Sequence, residues 1–244
     1  MPAVAPTMLL LLTSAAQAWE VNHNSEGDPL HWPTGHVEYW INPENSQGVS
    51  AERIRFMTDA ASGAWSRVTG VTLSFDYLGT TAVSTADYTD DKNVIYFEDE
   101  WPAEWDPSFL ALTFTWSVEG GEIIAFDMAI NEDDFDWSAG GAQADNDLMN
   151  MLTHEIGHGI GLSHSQVIDA TMYYQASRGE EGKRVLSHDD EEGARYLYGD
   201  LLRASAGCAA APQAGAGLWA LAGLGLAISL RSRRQRADAG ARGR

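Results

Sequence analysis

The spacing of hydrophobic and polar residues predicts a fold that mixes strands and helices. Residues 37–41, VEYWI, alternate as expected for a strand with one buried face. From Ser50 onward the spacing becomes helical, and six residues form one apolar face: Ile54, Met57, Ala61, Ala64, Trp65 and Val68. Because only one face of this helix is apolar, we expect it to cover a sheet.

Four later segments have the length and residue types of strands, namely 71–77, 93–97, 111–118 and 123–130. Gly120 and Gly121 separate the last two and predict the turn of a hairpin. Most of the predicted strands therefore come before the remaining helices.

Two further helices are predicted in the second half of the chain. One begins at a capping residue among 145–147 and runs through Ile156 to the glycines at positions 159 and 161. The other begins at Ser187 and ends near Tyr198.

Both ends of the chain differ in composition from its middle. Residues 1–18 combine a short apolar run with a small-x-small site, which predicts an export signal removed before Trp19; a buried N-terminal element is the alternative. Residues 214–230 form seventeen uncharged positions, long enough for a transmembrane segment, although a buried helix is the alternative. Residues 203–213 then act as a linker, and the arginine-rich residues 231–244 as a cytoplasmic tail.

Charge separates the predicted domain, residues 19–202, from that tail. The domain carries 34 acidic and 8 basic residues, a net charge of −26. Such a surface repels phosphate backbones, so we exclude nucleic acid as a partner, and it favours either calcium binding or a simple solvated acidic surface. The only cysteine, Cys208, lies outside the domain, so a metal site there requires histidines and carboxylates.

The chemistry of the chain is indicated by HEIGHGIGLSH, residues 154–164. His154 and His158 lie four residues apart and therefore share one helix face. A turn at Gly161 would let His164 supply a third nitrogen to the same zinc ion. Glu155 would then act as the general base for hydrolysis of an amide bond. Capping and surface histidines beside flexible glycines are the alternative.

This motif, followed by ATMYY and LSHDDEEGARYLYG, resembles the metzincin peptidases of the matrixin type. Met172 matches their methionine turn, and Asp189-Asp190 match their last helix. The resemblance implies an α+β fold with a twisted, mixed five-stranded sheet and three helices, in which the active-site helix lies below the sheet. It also implies one catalytic zinc ion, protein or peptide substrates that pair with strand 111–118, and an S1′ pocket lined by residues 167–174.

Several departures from the matrixin pattern bear on the metal sites. No histidine lies between His36 and His154, so we predict that the family's second, structural zinc is absent. An acidic segment occupies the place of a calcium site, and its candidate ligands are Asp127, Glu132, Asp133 and Asp134. A solvated turn is the alternative for these four residues.

Tyr174 stands where matrixins usually carry a proline. Astacin-type metzincins have a tyrosine at this offset that binds the zinc or the oxyanion, so Tyr174 is a candidate catalytic residue. Packing under the methionine turn is the alternative role.

The tail, with Gly207-Cys208, an apolar segment and arginines, resembles the C-terminal sorting signal of myxobacterial surface proteins. We therefore expect an exported, monomeric bacterial protein that contacts the membrane through this segment and is displayed at the cell surface or released. The expected function is zinc-dependent endopeptidase. A surface binding or adhesion module with a structural zinc site is the alternative.

Overall fold

A computed structural model describes residues 18–140 and 145–199 of the chain. The predicted export signal lies outside these residues except for Ala18, and so do the predicted linker, transmembrane segment and tail. Within the described part, no helix is long and apolar enough to cross a membrane.

The main sheet has five strands and is mixed, as predicted. In chain order these are β1 (His36–Ile41), β2 (Ser74–Thr80), β3 (Val94–Glu98), β4 (Ala111–Ser117) and β5 (Ile123–Asn131). Their spatial order is β2-β1-β3-β5-β4; only the β4–β5 pair is antiparallel. Strand β4 therefore forms one edge of the sheet. A short parallel pair, β6 (Trp137–Ser138) and β7 (Asn146–Asp147), lies apart from it.

The second strand begins three residues later than the sequence pattern predicts. Residues Val71 and Thr72 pair with the end of the last helix instead of with β1: the Thr72 N–H donates to the Tyr198 carbonyl (3.0 Å) and Val71 forms a bridge with Gly199. The hairpin prediction is confirmed, because Gly120 and Gly121 both adopt positive φ between β4 and β5. Long-range pairing thus decides where β2 starts, which local periodicity does not reveal.

All three predicted helices are present: α1 (Ala51–Ser66), α2 (Leu148–Gly159) and α3 (His188–Tyr198). Each helix follows a capping residue whose side chain accepts a hydrogen bond from a backbone N–H of the first turn. The capping residues are Ser50, Asp147 and Ser187, respectively. These acceptors satisfy helix N–H groups that have no partner within the helix.

The main core lies between the sheet and helices α1 and α2. Met57 and Trp65 on the predicted face of α1 are buried, whereas Ala64 is half-buried. Trp65 reaches α2, where its indole N–H donates to the Thr153 carbonyl (2.8 Å). This contact fixes the position of α2, the helix that carries the HEIGH segment.

A second, smaller core covers the opposite face of the sheet. The loop between β3 and β4 folds back so that Trp101 and Trp105 pack there, with ring centroids 4.8 Å apart, and Trp105 lies 5.3 Å from Phe114 of β4. Aromatic packing holds this loop against the sheet and supports the edge strand β4 on the face opposite α1 and α2.

Candidate metal centre and active-site cleft

The structure brings the three predicted zinc ligands together. His154 and His158 project from one face of α2, and His164 follows on the loop after it. One nitrogen of each imidazole lies within 4.8 Å of the other two, which suits a single metal ion. In residues 18–140 and 145–199, no other group of three histidine, cysteine or carboxylate side chains is arranged this way.

Gly161 makes the turn that returns His164 to the helix. Its φ is +99°, and a Cβ atom at this position would lie 2.1 Å from the Leu30 carbonyl oxygen. Only glycine avoids both the backbone strain and this clash. The glycine in the motif is therefore required by the close approach of the N-terminal segment.

The orientation of the imidazoles suits a cation between them. Nδ1 of His154 lies 2.6 Å from the Thr171 carbonyl oxygen, and Nδ1 of His158 lies 2.9 Å from that of Leu162. Because a carbonyl can only accept, both Nδ1 atoms carry the proton, and both Nε2 atoms present lone pairs. These Nε2 atoms face each other at 3.0 Å, an arrangement that is repulsive unless a cation attracts both.

Two further features of the triad fit a metal ion. Nε2 of His164 is buried and has no hydrogen-bond partner. Burial also lowers the pKa of all three imidazoles: well below 6.5 for His154, to about 4 for His158 and to about 3 for His164. The ligands are thus neutral at physiological pH, which is the form that binds zinc.

Glu155 lies beside the triad in a water-excluded position. Its side chain is fully buried, and Oε2 accepts a hydrogen bond from the Thr113 hydroxyl (2.7 Å) while Oε1 has no partner. Burial raises the pKa of Glu155 to about 8, and the hydrogen bond from Thr113 opposes that rise. One carboxylate oxygen is therefore held by β4 and the other is free to take a proton.

Thr113 was not identified from the sequence. It is one of two threonines in an alternating strand, and no short motif surrounds it. Its contact with Glu155 depends on β4 crossing α2, which is a property of the tertiary fold.

The segment around Met172, the predicted methionine turn, lies against α2. Met172 is buried, and its Sδ would be 2.3 Å from a Cβ added to Gly157. The Asp190 carboxylate accepts the N–H groups of Thr171 (2.8 Å) and Met172 (2.9 Å), so α3 holds the turn in place. Thr171 of this turn supplies the carbonyl oxygen that orients the His154 imidazole.

The loop of His164 is also held by α3 and by the turn. The Ser165 hydroxyl donates to Asp189 (2.6 Å), and the Ser165 N–H donates to the Met172 carbonyl (2.8 Å). Through these contacts Ser165 connects the third histidine to α3 and to the methionine turn.

Tyr174 lies near the triad but is exposed. Its ring centroid is 6.2 Å from that of His164, and 40% of the side chain is accessible. This exposure argues against packing beneath the turn, the alternative role considered for this residue. A role in binding the zinc or the oxyanion stays a prediction.

The four calcium candidates do not form one cluster. Asp127 is buried and accepts the N–H groups of Asp87 (2.9 Å) and Val94 (2.7 Å), so it links the loop of Asp87 and the start of β3 to β5; burial raises its pKa to about 7. The other candidates face separate partners: Glu132 accepts from Ser46, Asp133 accepts from Trp101, and the Asp134 N–H donates to Asn131. These contacts suit structural roles in the loops.

Comparisons with known proteins agree with this geometry. The matrixin family profile matches residues 31–199. The chain is 29% identical to human matrix metalloproteinase-25 over 160 residues, covering 64% of this chain and 27% of that protein. It is 30% identical to metalloendoproteinase 2-MMP of Arabidopsis thaliana over 176 residues, covering 71% and 44%. Human matrilysin is 33% identical over 101 residues, covering 41% and 36%.

The chain therefore spans less than half the length of these relatives. The family match nevertheless covers the sheet, the histidine triad, the methionine turn and α3 together. This chain belongs to the matrixin family of peptidases.

Proposed function

We propose that the protein is a zinc-dependent endopeptidase that hydrolyses extended protein or peptide substrates. The observation that carries this proposal is the presence of two features at one site. The Nε2 lone pairs of His154 and His158 converge at 3.0 Å, and beside them Glu155 keeps one carboxylate oxygen without a partner.

His154, His158 and His164 would hold the zinc ion through Nε2. Bound zinc supplies a Lewis acid that lowers the pKa of a water molecule toward neutrality and polarises the substrate carbonyl. Oε1 of Glu155 would accept the proton from the attacking water and then deliver it to the leaving amine. Thr113 keeps Oε2 in a fixed position during both transfers, since its hydroxyl is already bound to that oxygen.

Strand β4 would bind the substrate backbone. It is the edge strand of the sheet, and Thr113 at its centre contacts Glu155, so the strand runs beside the catalytic carboxylate. An extended peptide can pair with such an edge through main-chain hydrogen bonds. This mode of binding explains why extended chains, rather than folded surfaces, would be the substrates.

The predicted place of action is the cell envelope or the cell surface, or the extracellular space after release. This part of the proposal depends on the export signal in residues 1–18 and on the sorting signal with Gly207-Cys208. One zinc ion per chain, calcium as a second bound ion and a monomeric state belong to the same proposal.

A surface adhesion module with a structural zinc site is the competing function. A purely structural zinc site has no use for a buried carboxylate with an unpaired oxygen, which is costly to maintain. Glu155 is such a carboxylate, so the peptidase is favoured.

The test is cleavage of an unfolded protein by the zinc-loaded chain. We expect cleavage that stops when a zinc chelator is added and returns with zinc. Tight zinc binding without cleavage of any unfolded protein or peptide library would favour the adhesion module.

A further inference from the structure

A pocket lies in the main sheet where β3 stops short of its two neighbours. β3 pairs with β1 only at the last two residues of β1, and with β5 only from Met128 onward. The Asn93 side chain bridges the gap at one point: its amide donates to the Glu38 carbonyl (2.7 Å) and its Oδ1 accepts the Phe126 N–H (2.8 Å). The cavity beside this bridge has a volume of about 370 Å³ and is lined by β1, by β5 and by the residues before β3. Pockets of roughly 300–1,000 Å³ are typical of ligand sites.

This pocket is separate from the proposed metal centre. None of the residues that line it is a predicted zinc ligand, Glu155 or part of the methionine turn. Glu38 and Trp40 line it, and they alternate along β1 with Val37 and Tyr39, which are buried in the main core. Successive side chains of a strand point to opposite faces, so Glu38 and Trp40 lie on the face opposite α1. A ligand bound here would occupy a site of its own.

Three aromatic side chains line the pocket: Trp32, Trp40 and Tyr88. The Trp32 indole N–H donates to the Gly159 carbonyl (2.9 Å), and the Tyr88 ring packs against Trp116 of β4 with centroids 5.8 Å apart. These contacts hold two of the three rings in place without a ligand. Aromatic faces attract cations, and a flat guanidinium group also stacks on them.

The charged groups around the pocket favour a cationic ligand. Lys92 already has a partner, because its Nζ donates to the Asp90 carbonyl (3.2 Å) and lies 3.9 Å from the Asp90 carboxylate. Asp91, at the rim, forms no ion pair within the described part of the chain, and Glu38 lies near only His36 (3.8 Å). The lining groups and their ion-pair partners comprise four carboxylates and two basic groups, so negative charge is in excess by two even when the histidine is protonated: Glu38, Asp76, Asp90 and Asp91 against His36 and Lys92.

We propose that this pocket binds the guanidinium group of an arginine side chain on a protein or peptide. The flat group can stack on the tryptophan rings while its N–H groups donate to the carboxylates of Glu38 and Asp91. Anionic ligands are disfavoured by these carboxylates and by the net charge of −26 of residues 19–202. The inference does not depend on the peptidase function, because the pocket shares no residue with the metal centre.

The test is calorimetric titration of the full chain with two small compounds at low ionic strength. N-acetyl-arginine amide carries the guanidinium, whereas N-acetyl-citrulline amide has nearly the same shape and no charge. We expect the arginine compound to bind more tightly by at least about fivefold, because cation–π and ion-pair attraction act only on the charged group. Raising the ionic strength should reduce this preference.

Substitutions in the pocket locate the binding. Glu38→Gln and Asp91→Asn change exposed side chains, so the fold should be kept while the preference for arginine over citrulline falls toward one. Trp40→Leu removes an aromatic face and should weaken binding of the arginine compound by about two- to thirtyfold. Glu52→Gln, an exposed change in the first turn of α1 on the other side of the sheet, is the matched control and should leave the affinity unchanged.

Three results would overturn the proposal without affecting the peptidase function. The first is equal affinity for the arginine and the citrulline compounds. The second is an arginine affinity that Glu38→Gln, Asp91→Asn and Trp40→Leu all leave at the wild-type value. The third is binding of an uncharged disaccharide without binding of the arginine compound, which would assign the pocket to carbohydrate.

Discussion

Replacing Thr113 by valine tests whether β4 positions the catalytic base. Valine has nearly the same volume as threonine but no hydroxyl, so the change removes the 2.7 Å hydrogen bond to Oε2 of Glu155. Both side chains are buried, with Thr113 3% and Glu155 0% exposed, so water does not replace the lost donor. Oε2 would then join Oε1 as a buried oxygen without a partner.

The size of the effect follows from the charge on the acceptor. A hydrogen bond to a charged group contributes about 1.5–3 kcal/mol, so kcat/KM should fall by roughly ten- to a hundredfold. The Thr113 hydroxyl lowers the pKa of Glu155 against the opposing effect of burial. Without the hydroxyl this pKa rises, and the acid limb of the pH–rate profile should move to higher pH.

The assay is steady-state hydrolysis of one peptide across a pH series, together with the zinc content of each variant. Thr113→Ser restores the hydroxyl and should recover most of the rate and the original acid limb. Thr115→Val, on the same face of β4 but without a contact to Glu155, is the matched control. A Thr113→Val enzyme with unchanged kcat/KM and an unchanged acid limb would refute the positioning role.

Three further outcomes are expected. Gly161→Ala should destabilise the fold by several kcal/mol and weaken zinc binding, because the added Cβ would lie 2.1 Å from the Leu30 carbonyl oxygen. The control is Gly179→Ala, at a position with positive φ but no atom within 4 Å of the added Cβ. Thermal unfolding should show a much smaller loss of stability for this control. Asp190→Ala should cost about 3 kcal/mol or more, measured by denaturant unfolding, because it leaves the buried N–H of Met172 without an acceptor. Zinc at a free concentration of a thousand times Kd should raise the free energy of unfolding by about 4 kcal/mol over that of the zinc-free chain. An equal Tm with and without a chelator would contradict a metal site.

The elements and the metal ligands were predictable because their signals are local. The helix α2, its glycine stop and the three histidines lie in a single stretch of eighteen residues, 147–164, and helical spacing alone places His154 above His158. Residues that act through tertiary contacts were not predictable in this way. Thr113 is 42 residues from Glu155 in sequence, and only the crossing of β4 and α2 brings the two side chains together.

For the calcium candidates, closeness in sequence does not correspond to closeness of the side chains in the fold. Asp127 and Glu132 are near each other in sequence and acidic, which fits a cation site. In the fold, Asp127 is buried inside β5 and accepts two backbone N–H groups, whereas Glu132 accepts from Ser46 at the surface. Sequence proximity alone therefore did not define a common site.

The most direct measurement is the activity and the zinc content of Glu155→Gln beside the wild type. Glutamine keeps the shape of the side chain but cannot take the proton, so we expect one bound zinc per chain and a loss of kcat of at least about a thousandfold. Glu122→Gln, an exposed change outside the cleft, serves as the control and should retain full activity. Hydrolysis by Glu155→Gln at the wild-type rate, with zinc bound, would contradict the proposed mechanism.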